Sequence, residues 1–423
     1  MNLPAPLADT RDAAPQAQVY SGGNRVRLLQ GGDELFPAMQ QAMAAARSEV
    51  WLVTYIFHDD EAGAGIAEAL RAAARRGVAV HVLVDGFGSR GSLSRLRAWF
   101  ADDGLSFDVF RPLQRWSAWL QPAQLRRLHH KLCVVDDAVA FVGGINILDD
   151  RNDLMHGRSG QPRLDFAVEL RGPVVPQVRH LAQALDMRAR LGHDWRSEVG
   201  ALARSRSPVA DTLQLLRELR STAPPRAAGM PDPVHVAFVV RDNLGQRRAI
   251  ESSYIEAVRG ARHRVDIACP YFYPRRAFRR SLQSAAQRGV QVRLLMQGKV
   301  DYRMAALAAR VLYDELMSHG VHIFEYTPAF LHAKVAVVDE RWATVGSSNI
   351  DPLSLLLNLE ANAVVRDAAF AAELRQRLDA AFAVSHEVRA PPLRDGWRSR
   401  LARRFVAWCA QAYLRVAGIT SRY

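Results

Sequence analysis

Apolar positions along the chain alternate between two periods. Phe36, Met39, Ala42 and Met43 recur at helical spacing and predict a helix over 36–47. Val50 to Phe57 (VWLVTYIF) is instead a continuous apolar run, rich in β-branched and aromatic residues, as in a strand buried on both faces. Ile66, Ala69, Leu70 and Ala73 form a second helical face that ends near Gly77, and Val78 to Val84 predicts another buried strand. Between them stands His58-Asp59-Asp60. It could hold a metal ion, but Asp directly ahead of a helical stretch is expected to cap the helix. A strand over 165–170 and a helix over 178–190 close this half.

The same order then recurs. AAARRGVAVHVLVDG (72–86) aligns with SAAQRGVQVRLLMQG (284–298), and VWLVTYIF (50–57) aligns with Val265 to Phe272. A helix precedes each strand, and a His-x-Lys pattern follows in both halves. Features kept in one order indicate an internal duplication. Strand–helix alternation predicts α/β sandwiches, each a central sheet with helices on both faces and each with its own core. The halves are separated by Ser207-Pro208, a charged helix over 209–220, Ala223-Pro224-Pro225 and Pro231-Asp232-Pro233. The expected division is an N-terminal tail (1–22), a first domain (23–199), a linker (200–233), a second domain (234–390) and a C-terminal segment (391–423).

The duplicated stretch that carries chemistry is a strand, a tight turn and a second strand. It reads His129-His130-Lys131, Asp136, then Gly143-Gly144-Ile145-Asn146, and again His332-Ala333-Lys334, Asp339, then Gly346-Ser347-Ser348-Asn349. Residues two apart on a strand share a face, so His129 points with Lys131 and His332 with Lys334, while His130 points away. Asn146 and Asn349 follow the second strands and can return to the same end. The candidate catalytic set is His129, Lys131, Asp136, His332, Lys334 and Asp339. Within it, Asp136 and Asp339 sit at the turns and are expected to hold the hairpins. The residue types suit a phosphodiester. One imidazole can attack phosphorus and hold the group covalently. The other can protonate the leaving oxygen and deprotonate the incoming hydroxyl. Lysine ammonium and asparagine amide groups can stabilise the non-bridging oxygens. No metal-ligand set accompanies them, so no metal or other cofactor is expected.

Charge and composition narrow the partners. The 423 residues carry a formal charge of +13 and a pI near 10.2, which suits nucleic acid or an anionic membrane. The three cysteines are scattered and do not suggest a disulfide framework, which favours a reducing setting. Neither a signal peptide nor a transmembrane helix is expected, so action on lipid would be from the surface. From Leu393 to Tyr423 seven Arg stand against a single Asp, with Trp397, Leu401, Phe405, Trp408, Ala412 and Leu414 roughly on one helical face. Such a helix can lie in a membrane interface or dock on its own domain. Trp116 and Trp119, beside Arg126-Arg127, could face lipid or pack in a core.

The doubled pattern HxK(x)₄D(x)₆G(S/G)xN resembles that of the phospholipase D superfamily. The longer stretches around it look like bacterial cardiolipin synthases of the form lacking N-terminal transmembrane helices. The resemblance covers roughly residues 24–390, and Gly144 stands where many members carry Ser, a position that Ser347 keeps. It implies two tandem phospholipase D-like α/β/α domains related by a pseudo-twofold, sharing one site, so that a monomer can act. It further implies His129 as nucleophile, His332 as acid and then base, and Lys131, Lys334, Asn146 and Asn349 around the phosphate. Asp165 and Glu360 match the acidic residue that members place behind each histidine. The implied reaction joins two phosphatidylglycerols into cardiolipin at the cytoplasmic face of the bacterial inner membrane, with nucleic acid not expected as partner. A phosphodiesterase acting on lipid or nucleic acid, and a non-catalytic lipid-binding scaffold, are the competing readings.

Overall fold

The computed structural model describes residues 18–112, 127–153, 157–202, 234–241, 248–298, 312–351 and 358–389, with backbone alone over 191–202. The predicted 209–220 helix, Trp116, Trp119 and the basic segment 391–423 lie outside the described residues. In chain order the first half begins β1 (Ser21–Gln30), α1 (Gly31–Ala45), β2 (Glu49–Thr54), α2 (Glu61–Arg75) and β3 (Ala79–Asp85). It continues α3 (Leu93–Trp99), β4 (Ser106–Phe110), β5 (Leu132–Val135) and β6 (Val139–Gly143). A short ribbon, β7 (Asn152–Asp153) with β8 (Gly157–Arg158), precedes β9 (Phe166–Arg171) and α4 (Val175–Leu202). The second half runs β10 (Val234–Arg241), α5 (Ala249–Gly260), β11 (Arg264–Ala268), α6 (Arg276–Gln287), β12 (Gln291–Gln297) and β13 (Val321–Tyr326). Then come β14 (Val335–Val338), β15 (Trp342–Gly346), β16 (Glu360–Arg366), α7 (Ala368–Ala383) and β17 (His386–Glu387).

Fifteen of these strands make one sheet, ordered β17-β13-β12-β11-β14-β15-β16-β10-β1-β9-β6-β5-β2-β3-β4. Leaving β17 aside, the order is the same from either end once each strand is matched to its duplicate. The pseudo-twofold passes between β1 and β10, which pair antiparallel with Ser21 opposite Val236 and Asn24 opposite Val234. The α/β/α layering and the duplication match the expectation; separate cores do not. α1 and α2 cover one face of the first half, with Met39, Met43, Ile66 and Leu70 against Leu52, Val82, Cys133 and Phe141. α5 and α6 repeat this in the second half, with Tyr254, Phe278 and Leu282 against Ile267 and Leu294. On the opposite face a single core runs across both halves, from Val178 and Leu185 of α4 to Leu374 and Phe382 of α7. Alternation along β5 explains the two cores: Leu132 and Val134 enter the shared one, Cys133 and Val135 the other.

Local departures from the predicted elements have identifiable causes. α1 starts at Gly31, five residues before the predicted start, and contains Pro37. Gly-Gly and Pro both lower helix propensity, but tertiary bonds hold the first turn. Gly31 N donates to the Asp165 carbonyl at 3.0 Å, and Gly32 N to the Asp150 carboxylate at 2.5 Å. β2 ends at Thr54, three residues short of the predicted strand end, and Phe57 makes only an isolated bridge with Ile147. Asp60 does cap α2, accepting from Gly63 N at 3.0 Å.

Asp136 and Asp339 stand in the β5–β6 and β14–β15 turns with positive φ, 54° and 50°. Asp136 accepts from the backbone N of Arg47, Ser48 and Glu49 at 2.7, 2.8 and 3.0 Å. Asp339 does the same for Arg262, His263 and Arg264 at 2.9, 2.8 and 3.0 Å. Each carboxylate thus ties its hairpin to the entry of the neighbouring strand, β2 or β11. These donors lie at the opposite end of the motif strands from the histidines. Asp136→Ala and Asp339→Ala are each expected to cost about 2 kcal/mol, from loss of charge-assisted bonds to otherwise unpaired N–H groups. Urea unfolding checks this; an unchanged midpoint would show that neither carboxylate supports the fold.

Candidate active site

His129 and Lys131 lead into β5, and His332 and Lys334 lead into β14. The two halves are laced together at these points by backbone bonds. His129 N donates to Leu359 O at 3.0 Å and Leu359 N to Arg127 O at 2.9 Å. Leu164 N donates to Phe330 O at 2.9 Å and His332 N to Leu164 O at 2.9 Å. This lacing sets each half's carboxylate behind the other half's histidine. Glu360, at the head of β16, lies 3.0 Å from His129 Nδ1. Asp165, just ahead of β9, lies 2.6 Å from His332 Nδ1. A carboxylate at Nδ1 holds the proton there and leaves the Nε2 lone pair for chemistry. The sequence pointed to both acids; the exchange between halves is new.

The site is buried but not sealed. Glu360 is fully buried and Asp165 is 1% exposed, while the His332 side chain is 26% exposed and that of His129 only 10%. Lys131 and Lys334 are buried, and each ammonium donates to the carbonyl of its own motif histidine, Lys131 at 2.9 Å. Asn146 is buried and its Oδ1 accepts from Ile56 N at 3.3 Å, which fixes its amide orientation. Asn349 Oδ1 lies 4.0 Å from Cys269 Sγ. His130 points away, as its register demands, and burial pushes its imidazole down to about 3.

The two copies differ where Gly144 replaces serine. Ser347 Oγ donates to Glu360 at 2.5 Å and accepts from Ala361 N at 3.1 Å. A Cβ on Gly144 would stand 2.3 Å from Asp165 Oδ1. Side-chain space is therefore exchanged for the shorter carboxylate, and Asp165 Oδ1 is held by its neighbour Phe166 N at 2.9 Å.

Tyr55 also belongs to this site. Its ring centroid is 4.8 Å from that of His129, and Lys131 Nζ lies 5.2 Å from the same ring. It was hidden inside the VWLVTYIF run, where every residue could be core. Its counterpart is Pro270, because Phe57 and Phe272 make equivalent bridges to Ile147 and Ile350.

Burial governs the electrostatics. It lowers both catalytic-type imidazoles, with Glu360 opposing it at His129 and Lys334 adding to it at His332. It lowers Lys131 to about 7 and Lys334 to about 8, against the pull of Glu360 and Asp165 respectively. Burial would raise Glu360, but His129, Lys131 and Ser347 together hold it below the usual carboxylate range. Asp165 is raised, burial outweighing Lys334 and its backbone bond. The result is two neutral imidazoles and two ammonium groups near their titration points, a set that favours binding a phosphate anion.

A family profile described as cardiolipin synthase, PLD-like domain, matches residues 39–155 and 254–382, more than half of the chain. The chain belongs to this family. The first matched segment of the PLD-like domain holds His129, Lys131 and Asn146 but stops short of Asp165; the second holds His332, Lys334, Asn349 and Glu360. Cardiolipin synthase B of Salmonella typhi is 36% identical over 356 residues, 84% of this chain and 80% of that protein. The protein of the same name in Escherichia coli K12 is 35% identical over 358 residues, with the same shares. The crystal structure of phosphatidylserine synthase from Haemophilus influenzae Rd KW20 shares the fold at a TM-score of 0.66 and 12% identity, over 95% of this chain and 97% of that one.

The cross-half pairing has a direct spectroscopic consequence. In a histidine NMR titration, His129 is expected to titrate below its ordinary 6.5. Glu360→Gln should lower it further, because that carboxylate is what opposes burial. A rise on removing the charge would contradict the pairing.

Proposed function

We propose that the protein makes cardiolipin, transferring a phosphatidyl group from one phosphatidylglycerol to another with release of glycerol. Family membership alone gives the coarser statement, a phospholipid phosphatidyltransferase. The observation that best supports the finer one is the pair of imidazoles, each backed by a buried carboxylate of the opposite half, beside two buried lysines.

In this reading His129 Nε2 attacks phosphorus, a P–N bond forms and the P–O bond to the glycerol headgroup breaks. The glycerol oxygen takes its proton from His332 Nε2. Burial favours neutral His332 in the free protein, but a bound phosphodiester brings negative charge beside it and raises its proton affinity when an acid is needed. The hydroxyl of the second phosphatidylglycerol then gives its proton back to His332 and attacks phosphorus, the P–N bond breaks, and cardiolipin forms. Lys131, Lys334 and the amides of Asn146 and Asn349 hold the non-bridging oxygens throughout. Tyr55 steadies His129 and Lys131 against one ring. Both histidines and both carboxylates come from one chain, which supports action as a monomer.

The +13 charge supports an anionic lipid surface as partner. Among the described residues no helix is long and apolar enough to cross a membrane. Peripheral attachment at the cytoplasmic face is part of the same proposal.

Purified protein with phosphatidylglycerol vesicles should yield cardiolipin and glycerol, and His129→Ala should lower the rate at least about 10³-fold. Rapid quenching should trap an acid-labile, alkali-stable phosphatidyl adduct on the peptide containing His129. An adduct on His332 would reverse the two roles, and phosphatidic acid as the sole product would make the protein a hydrolase. The pH profile of kcat/KM should fall on its alkaline side between about 7 and about 8, as Lys131 and Lys334 lose their protons. Lys131→Arg should move that limb upward, since a guanidinium keeps its proton.

A further inference from the structure

The pseudo-twofold that relates the two histidines is broken at Arg163. The paired positions are Leu164 with Leu359 and Asp165 with Glu360, so the residue ahead of them is Arg163 on one side and Asn358 on the other. Arg163 is part-exposed and lies on the stretch laced to the His332 segment, with Leu164 bridged to Leu331. Arg163 stands two residues ahead of Asp165, whose carboxylate holds His332. Its backbone N donates to Asp150 O at 2.9 Å and its Nη2 reaches Asn152 O at 3.4 Å. Asp150 and Asp165 are among the carboxylates within its field, and His332 and Lys334 also feel its charge. On the His129 side the neighbouring guanidinium, Arg241, is buried and donates to the Asn358 carbonyl at 2.9 Å.

The proposed reaction brings two phosphodiesters to one site, and the His, Lys and Asn set accounts for only one of them. The second belongs to the acceptor lipid, one glycerol unit away from the hydroxyl that attacks. That hydroxyl must approach the histidine that takes its proton. We propose that Arg163 binds the phosphate of the acceptor phospholipid and so directs its glycerol hydroxyl to His332. This rests on the phosphatidyltransferase reading and adds to it a side of entry and an acceptor class, a lipid that carries its own phosphate. The proton of the attacking hydroxyl goes to His332 Nε2, the new P–O bond forms as the P–His129 bond breaks, and Arg163 takes no part in bond making.

The proposal separates two acceptors on one donor. Labelled glycerol exchanged into phosphatidylglycerol reports transfer to a neutral acceptor; cardiolipin reports transfer to a phosphate-bearing one. Arg163→Asn copies the residue found across the pseudo-twofold. It should lower the ratio of cardiolipin formed to glycerol exchanged by about tenfold or more, with a raised KM for the acceptor lipid, and Arg163→Lys should recover part of it. Thermal unfolding of both variants checks that the fold is kept. If cardiolipin and exchange fall in parallel, or the ratio does not move, Arg163 is no acceptor subsite. If wild-type protein supports neither reaction, the phosphatidyltransferase reading itself fails, an outcome distinct from failure of the subsite alone.

Discussion

The site depends on one constraint: neither half can hold its histidine alone. Nδ1 of His129 finds its carboxylate 231 residues away and Nδ1 of His332 finds its own 167 residues away, each in the other half. The β1–β10 pairing makes a single sheet, and the backbone bonds at 127–129, 164, 330–333 and 359 then set the exchange. Any relative shift of the halves would separate Glu360 and Asp165 from the imidazoles they hold. Breaking such a buried pair costs several kcal/mol. The same contacts that orient the imidazoles therefore hold the halves in register, and fold and site stand or fall together.

Much of this was legible in the amino-acid pattern because the chain states it twice. Duplicated His, Lys and Asn positions placed the chemistry, period-two spacing separated His129 from His130, and two buried runs located the central strands. The shared site and its pseudo-twofold were expected from the resemblance; what stayed hidden was the detailed way in which one half meets the other. The exchange of carboxylates is a long-range fact with no local signature, and so is the core shared by α4 and α7. Tyr55 was hidden for a different reason: inside an apolar run an aromatic residue looks like packing, and only its place at the end of β2 puts it beside His129. At α1 the misread boundary is a case of tertiary override. Gly31, Gly32 and Pro37 weaken the helix locally, while the Asp165 carbonyl and the Asp150 carboxylate satisfy its first turn.

The doubled motif also mixes residues of different kinds. Asp136 and Asp339 belong to it as firmly as the histidines do, yet they spend their oxygens on backbone N–H groups at the far end of the hairpins. In this protein the turn carboxylates position β5 and β14 against β2 and β11, and those strands carry Lys131, Lys334 and Tyr55 to the site.

Symmetry of fold does not make the two histidines equivalent. Ser347 and Glu360 form a longer, doubly bonded support behind His129, and His129 and Lys131 hold Glu360 below the usual carboxylate range. Behind His332, Gly144 leaves space for the shorter Asp165, whose carboxyl burial pushes the other way, and the ring above it is the more exposed of the two. A nucleophile benefits from a firmly ionised partner and a fixed ring, because it must stay neutral until it attacks and be stabilised once it carries phosphorus. A group that moves protons benefits from access to both leaving and entering oxygens. The differences between the copies run in these two directions, in keeping with the roles proposed above for His129 and His332.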